Sequence, residues 1–298
     1  MKLFATISVS LLLITPAAFA KVDVFACEPE WKSLVETLGG EFVTVYSATT
    51  AFQDPHHIEA RPSLIAKTRQ ADLLVCTGAD LEIGWLPLLL RQSGNAVIQE
   101  NELGFFLAAS QVERIEVPTE LDRSQGDVHA AGNPHVHWDP YRLITIAEAL
   151  GKRLQAIDPE NSTHYEERVV RFVADWQTSI TRWEQQADVL RGKRVIVYHK
   201  NWSYLLKWLQ VDVVGDLEPK PGIPPTSAHL ANLLSEMRSN KPDIILMANY
   251  QNDKGAQWLS EKTNVPVLRL PFTVGGSEQA SNLDALYNEV LSTLVNMQ

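Results

Sequence analysis

Five of the eight histidines fall in three short segments: Asp54-Pro-His-His-Ile-Glu59, Asn133-Pro-His-Val-His-Trp-Asp139 and Tyr198-His199-Lys-Asn-Trp202. Imidazole nitrogen suits zinc, copper, nickel and iron, and three imidazoles from separate loops form a recognised zinc donor set. Taken singly, each of these histidines is more often a surface or capping residue. Three that converge would make a metal site, with one position left for a fourth donor or for water.

Convergence needs a scaffold that brings distant loops together. Val22 to Ala26 reads as a strand, Trp31 to Leu38 as a helix stopped by Gly39-Gly40, and Phe42 to Tyr46 as a second strand. Pro62 opens another helix through Arg69, and Ala71 to Cys76 is a short apolar strand. Continuous apolar strands alternating with helices predict a parallel sheet covered on both faces. The second half repeats this grammar. Strands at Arg194–Tyr198, Val211–Val214, Asp243–Met247 and Val265–Leu270 alternate with helices at Tyr204–Leu209, Ser227–Arg238 and Ala256–Lys262. Between the halves, Tyr165, Val169, Phe172, Trp176, Ile180, Trp183, Ala187 and Leu190 recur at steps of three and four, with no Gly or Pro to break them. The prediction is an α/β chain of two lobes, each a parallel sheet flanked by helices, joined by one long rigid helix. The boundaries read as 1–20 for a signal peptide, 21–160 for the first lobe, 161–190 for the linking helix and 191–298 for the second lobe. Ligands of open parallel sheets bind outside the carboxyl ends of the strands, which is where the first and third His segments fall.

With these elements in place, the ordered motifs carry a resemblance. Asp54-Pro55-His56-x-x-Glu59-x-x-Pro62-Ser63, then Asn133-Pro134-His135-x-x-x-Asp139-Pro140, then a strand ending in Tyr198-His199, resemble the substrate-binding proteins of zinc and manganese ABC importers, the cluster A-I family. Asp158-Pro-Glu-Asn, Glu218-Pro and Ala228-His-Leu extend the resemblance over the whole mature chain. It implies a periplasmic protein, monomeric, that carries a metal to a membrane permease, with a periplasmic metallochaperone as a further partner. It also implies His56, His135 and His199 as metal ligands. Manganese-type members tend to place a carboxylate at the third position, so His199 points to Zn2+ ahead of Mn2+ or Cu2+.

Two departures mark this chain. The family usually adds an Asp at the end of the last strand, where Leu270 stands here in Leu268-Arg-Leu-Pro-Phe-Thr-Val-Gly-Gly276. The fourth position then falls to water, to Glu59 or to Asp253. The second departure is His137, which replaces an aromatic and creates a His-x-His pair; His137 and His57 alike read as candidate fourth ligands, as partners behind the ligands or as solvent-facing. A single His and a single Asp make Arg123 to Gly132, with its His129, a poor version of the family's metal-capturing loop. Three histidines with an open position also describe a catalytic zinc, so a zinc-dependent hydrolase, its metal held by three imidazoles and a water, is the alternative from another class, and a copper or broad metal scavenger a third. No His-Glu-x-x-His or Gly-x-Ser-x-Gly motif supports the enzyme.

The remaining features set the compartment. Lys2 followed by Leu3 to Ile14 and an Ala-x-Ala end at Ala20 reads as a cleaved export signal, and lipidation at Cys27 is disfavoured by Phe25 where a small residue is wanted. Cleavage removes one basic residue and no acidic one, so 25 basic against 36 acidic residues leave a charge of -11, which argues against a nucleic-acid partner. Cys27 and Cys76 each end a strand of the first lobe, within reach of a disulfide in an oxidising compartment.

Overall fold

The computed structural model describes residues 21–119, 126 and 128–297; the signal segment at positions 1–20 lies outside them. The first sheet contains β1 (Val22–Ala26), β2 (Val43–Ser47), β3 (Leu73–Cys76) and β4 (Phe105–Leu107) in the order β2-β1-β3-β4. The second contains β5 (Arg194–Val197), β6 (Asp212–Asp216), β7 (Ile244–Ala248) and β8 (Val267–Leu270) in the order β6-β5-β7-β8. Every pairing is parallel, so the two lobes share one topology. Each sheet reverses its strand order beside its first strand, which opens a crevice at the carboxyl ends. The all-buried strands Leu73–Cys76 and Ile244–Ala248 owe their continuous apolar runs to cover on both faces.

Helices α1 (Pro29–Gly39), α2 (Pro62–Gln70), α3 (Leu86–Ser93) and α4 (Pro140–Ile157) serve the first lobe. Each has a proline in its first turn, where the missing N–H costs nothing. Asp139 caps α4 by accepting from the backbone N–H of Tyr141 and Arg142, 3.0 Å each. The second lobe carries α6 (Ser203–Trp208), α7 (Ser227–Glu236), α8 (Lys254–Thr263) and α9 (Leu283–Val295).

The linking helix α5 spans Ser162–Ala187, 26 residues, or about 39 Å at 1.5 Å per residue, and tightens into a 3-10 turn at Asp188–Leu190. It is not a lone strut. Phe172, Trp176, Ile180 and Trp183 on its buried face belong to one continuous apolar core with Val24 of β1, Val197 of β5 and Tyr287 of α9. Separate smaller cores lie on the outer face of each lobe, one around Leu74 and Leu89, the other around Ile245 and Leu259. A core shared between lobes resists opening more than a single helix would, because parting the lobes would expose it.

Cys27 and Cys76, at the ends of neighbouring strands β1 and β3, are joined in a buried disulfide with their Cα atoms 4.8 Å apart. Beside it, Glu28 and Glu82 are both buried. Thr77 donates to Glu28 at 3.0 Å, and the backbone N–H groups of Thr77 and Gly78 donate to Glu82 at 2.7 and 2.9 Å. Burial, then the negative charges of Glu82 and Glu30, raises the Glu28 carboxyl well above its ordinary range, and burial pushes Glu82 up to about 7.

Two outcomes follow from this architecture. Small-angle scattering should give nearly the same radius of gyration for metal-free and metal-loaded protein, and a large contraction on loading would contradict the shared core. The buried carboxyl pair makes stability depend on pH with a definite sign. An acid whose folded value is raised holds its proton longer in the folded state, so its contribution is intact at low pH and declines as pH climbs through the folded value. The metal-free Glu28→Gln variant should therefore gain melting temperature relative to the parent as pH rises from 5 to 8. A gap that stays constant over that range would refute the buried-acid account.

Candidate metal centre

Three loops at the carboxyl ends of the strands carry His56, His135 and His199, and one donor nitrogen from each lies within 4.8 Å of the other two. Their ring centroids form a nearly equilateral triangle, with 5.8 Å from His56 to His135, 5.6 Å from His56 to His199 and 5.8 Å from His135 to His199.

Each imidazole is held differently. His56 follows β2 in a turn made by Asp54, whose Oδ1 accepts both the backbone N–H of His56 at 3.0 Å and its ring Nδ1 at 2.7 Å. Burial alone would raise Asp54, but the hydrogen bond and charge of His56 outweigh it and hold the carboxyl below its usual value. His199 follows β5, and its Nδ1 lies 2.7 Å from Glu218 Oε2, a carboxylate at the exit of β6 that also accepts the N–H of Gly222 at 3.0 Å. In both cases the carboxylate takes Nδ1 and turns Nε2 toward the other histidines, the arrangement that fixes tautomer and orientation in metal-binding imidazoles.

His135 has no such partner. Its side chain is 1% exposed, and both ring nitrogens are buried without a hydrogen bond. Burial and the neighbouring His56 and His199 hold its pKa well below the ordinary value, so the ring stays neutral. Its position is fixed through the backbone. Asn133 Oδ1 accepts the His135 N–H at 3.0 Å, while Asn133 Nδ2 donates to the carbonyl of Lys200 at 2.7 Å and to Glu116 at 2.9 Å. The Asn of the second motif thereby ties His135 to the residue next to His199. A buried imidazole with two idle nitrogens is costly unless something at the triangle's centre takes a lone pair.

The other predicted residues lie elsewhere. His137 is buried between the lobes, its Nδ1 3.3 Å from Glu30 and its Nε2 3.3 Å from the Phe272 carbonyl, while Thr273 donates to the far oxygen of Glu30. Its hydrogen bond runs from Nε2 to the chain leaving β8, while Nδ1 lies near Glu30 of α1 without a hydrogen bond. His57 is exposed on the rim of a cavity of about 350 Å3 that His56, His199, Glu218 and Tyr250 also line. Glu59 is exposed and lines neither cavity at the histidines, and Asp253 is ion-paired with Arg269 at 2.8 Å. Both carboxylates expected at the fourth position are thus turned to other surroundings. Leu270 is buried, and Phe272 just beyond it packs edge-on against His135 at 5.4 Å, so the usual site of the family's Asp is an apolar wall.

His129, set aside on sequence, sits 3.2 Å from His56 through their Nε2 atoms. Burial and the nearby His56 and His199 push it down to about 3. The segment holding it is aperiodic, so no pattern could have placed it. Trp31, Trp138 and Trp202 are fully buried core residues.

The model of the zinc-uptake complex component A, periplasmic family (ZnuA) matches residues 24–297. The metal ABC transporter substrate-binding lipoprotein ScbA of Streptococcus cristatus is 23% identical over 276 residues, 92% of this chain and 87% of that protein. The manganese ABC transporter substrate-binding lipoprotein PsaA of Streptococcus mitis is 24% identical over 275 residues, 91% and 86% of the two chains. In fold, the chain resembles a crystal structure of ZnuA with a TM-score of 0.74 at 20% identity, covering 93% of this chain and 98% of that one. A Mn-bound periplasmic metal binding protein from candidatus liberibacter asiaticus matches with a TM-score of 0.73 at 19% identity, covering 93% and 99%. Those streptococcal relatives are named lipoproteins, whereas the Cys27 sulfur of this chain is engaged by Cys76. No helix among the described residues is long and apolar enough to cross a membrane. By the match over residues 24–297, the chain belongs to the ZnuA family of metal-binding components of ABC transporters, which are solute-binding proteins and not enzymes.

Proposed function

We propose that the protein captures one zinc ion in the periplasm through His56, His135 and His199 and delivers it to the permease of an ABC importer. The observation that carries this reading is His135, whose two buried nitrogens lack any partner at the centre of the three converging loops. Bound metal would satisfy one of them, and the carboxylates behind His56 and His199 would strengthen the other two donors.

Zinc is favoured over manganese by the donor chemistry. Neutral nitrogen suits zinc, whereas manganese prefers oxygen-rich sites, and the carboxylates nearest the triangle, Asp54 and Glu218, are occupied at the far side of the imidazole rings. The manganese named for the streptococcal relatives belongs to chains only 22–24% identical to this one. A hydrolase would need an acid or base beside the open position, and Glu59, its nearest candidate in sequence, is exposed away from the cavities. The protein acts as a monomer, with the permease as its obligatory partner and a metallochaperone as a further source of the ion.

Competition titrations should show one zinc per chain, bound more tightly than manganese under matched conditions. Tighter manganese binding would overturn the zinc assignment, and tighter Cu(II) binding at physiological pH with transport of copper would favour the scavenger. Single His56→Ala, His135→Ala and His199→Ala variants should each lose more than about 100-fold in zinc affinity, beyond the range typical of outer partners. His137→Asn should instead act on folding stability, because it changes a fully buried ring hydrogen-bonded to the Phe272 carbonyl and not a bond to metal.

A further inference from the structure

The three donors leave a fourth direction open: Leu270 and Phe272 make an apolar wall, and of the carboxylates expected there Glu59 is exposed and Asp253 is paired with Arg269. Another imidazole stands beside the triangle, against His56. His129 Nε2 stands 3.2 Å from His56 Nε2. Two nitrogens bound to one tetrahedral zinc at 2.0–2.1 Å are separated by about 3.3 Å, so the pair already has the spacing of neighbouring ligands. The rings agree: His129 lies 5.2 Å from His56 by centroid, closer to it than His135 or His199, and 6.4 Å from His135.

The placement is fixed from beneath by the turn that leaves β3. Gly78, Ala79 and Asp80 have φ of 77°, 50° and 67°, three left-handed residues in succession, two of which carry side chains that disfavour this region. Asp80 holds the His129 segment, its Oδ2 accepting the N–H of Ala130 at 3.1 Å. With Nε2 turned to His56, Nδ1 is the nitrogen on the far side of the ring, as it is in His56 and His199, where Asp54 and Glu218 take it. Local strain that persists in a folded protein concentrates where a site needs it.

We propose that His129 is the fourth metal donor, completing a four-imidazole site in which its Nε2 takes the place of the family's carboxylate. This rests on the reading that His56, His135 and His199 hold the ion. The competing explanation of the 3.2 Å distance is an ordinary hydrogen bond between two neutral imidazoles, with water as the fourth ligand. The two differ in the number of imidazoles on the metal. They also differ in selectivity, because a fourth neutral nitrogen widens the preference for zinc or copper over manganese.

X-ray absorption on the zinc-loaded protein distinguishes them through the imidazole multiple-scattering signal, read alongside zinc affinity by competition for the parent, His129→Ala, His129→Asn and His135→Ala. Asn at position 129 keeps a polar group near the place of Nδ1 and removes Nε2, and it leaves the Ala130–Asp80 anchor in place, so it separates anchoring of the segment from ligation. The expected result is four imidazoles in the parent and three in both 129 variants. Zinc affinity should fall at least about tenfold in both, with the metal-free melting temperature unchanged in His129→Asn. Three imidazoles in the parent, or parental affinity in His129→Asn, would overturn the fourth donor while leaving the three-histidine function intact provided His135→Ala loses binding. If His135→Ala binds zinc as the parent does, the proposed site itself fails, and the fourth donor with it.

Discussion

An aromatic floor between the lobes fixes the geometry of everything above it. Trp138 and Trp202 pack at 4.9 Å, Trp202 meets Phe272 edge-on at 5.6 Å, and Trp138 also touches Tyr287 of α9 at 5.3 Å. Each ring is tied by a few residues to a loop of the metal centre. Trp138 follows His135 by three positions, Trp202 follows His199 by three, and Phe272 follows the strand end at Leu270. Rings of this size bury some 150–250 Å2 each, and interiors at crystal-like density hold them to one arrangement. The spacing of the imidazoles is therefore set from below, by packing between lobes, before any ion arrives.

Much of this was legible from residue patterns. Alternation of apolar strands with helices predicts two parallel sheets, and the ordered Asp-Pro-His, Asn-Pro-His and Tyr-His segments mark three loops at strand ends that the structure does bring together. The helix predicted over 161–190 is present as α5 with its closing turn. The shared core was not legible, because the periodicity of α5 shows that one face is buried but not that both lobes bury it. Nor did pattern reveal β4, three residues long, or α4 and α9, which complete the layers around α5.

The misplaced carboxylates show where sequence reasoning stops. Glu59 lies three residues from His56, yet Ile58 packs against the outer core of the first lobe and Glu59 faces solvent. Asp253 has the right charge but meets Arg269 of β8. His129 was passed over because its segment has neither period nor motif, and the turn that receives it, Gly78-Ala79-Asp80, contains only one residue whose type announces a left-handed backbone. Contact between two aperiodic segments fifty residues apart is a tertiary fact with no local signature.

A site of neutral imidazoles raises an electrostatic problem: a doubly charged ion in a partly buried place with no anionic ligand is expensive. On that ground a carboxylate is expected on the metal, or on a water bound to it. The structure offers another solution. Asp54 and Glu218 stand 2.7 Å behind two of the imidazoles, so two negative charges lie one ring away from the point where the donor nitrogens meet. Each can compensate half of a divalent charge through a polarised ring while leaving nitrogen as the atom the ion meets. Direct carboxylate ligation would achieve the same neutrality but would present oxygen, and with it a preference for harder cations. Moving the charge from the first contact to the second thus separates two requirements that the usual Asp at the end of the last strand meets together, and it leaves Leu270 and Phe272 free to close the aromatic floor against His135.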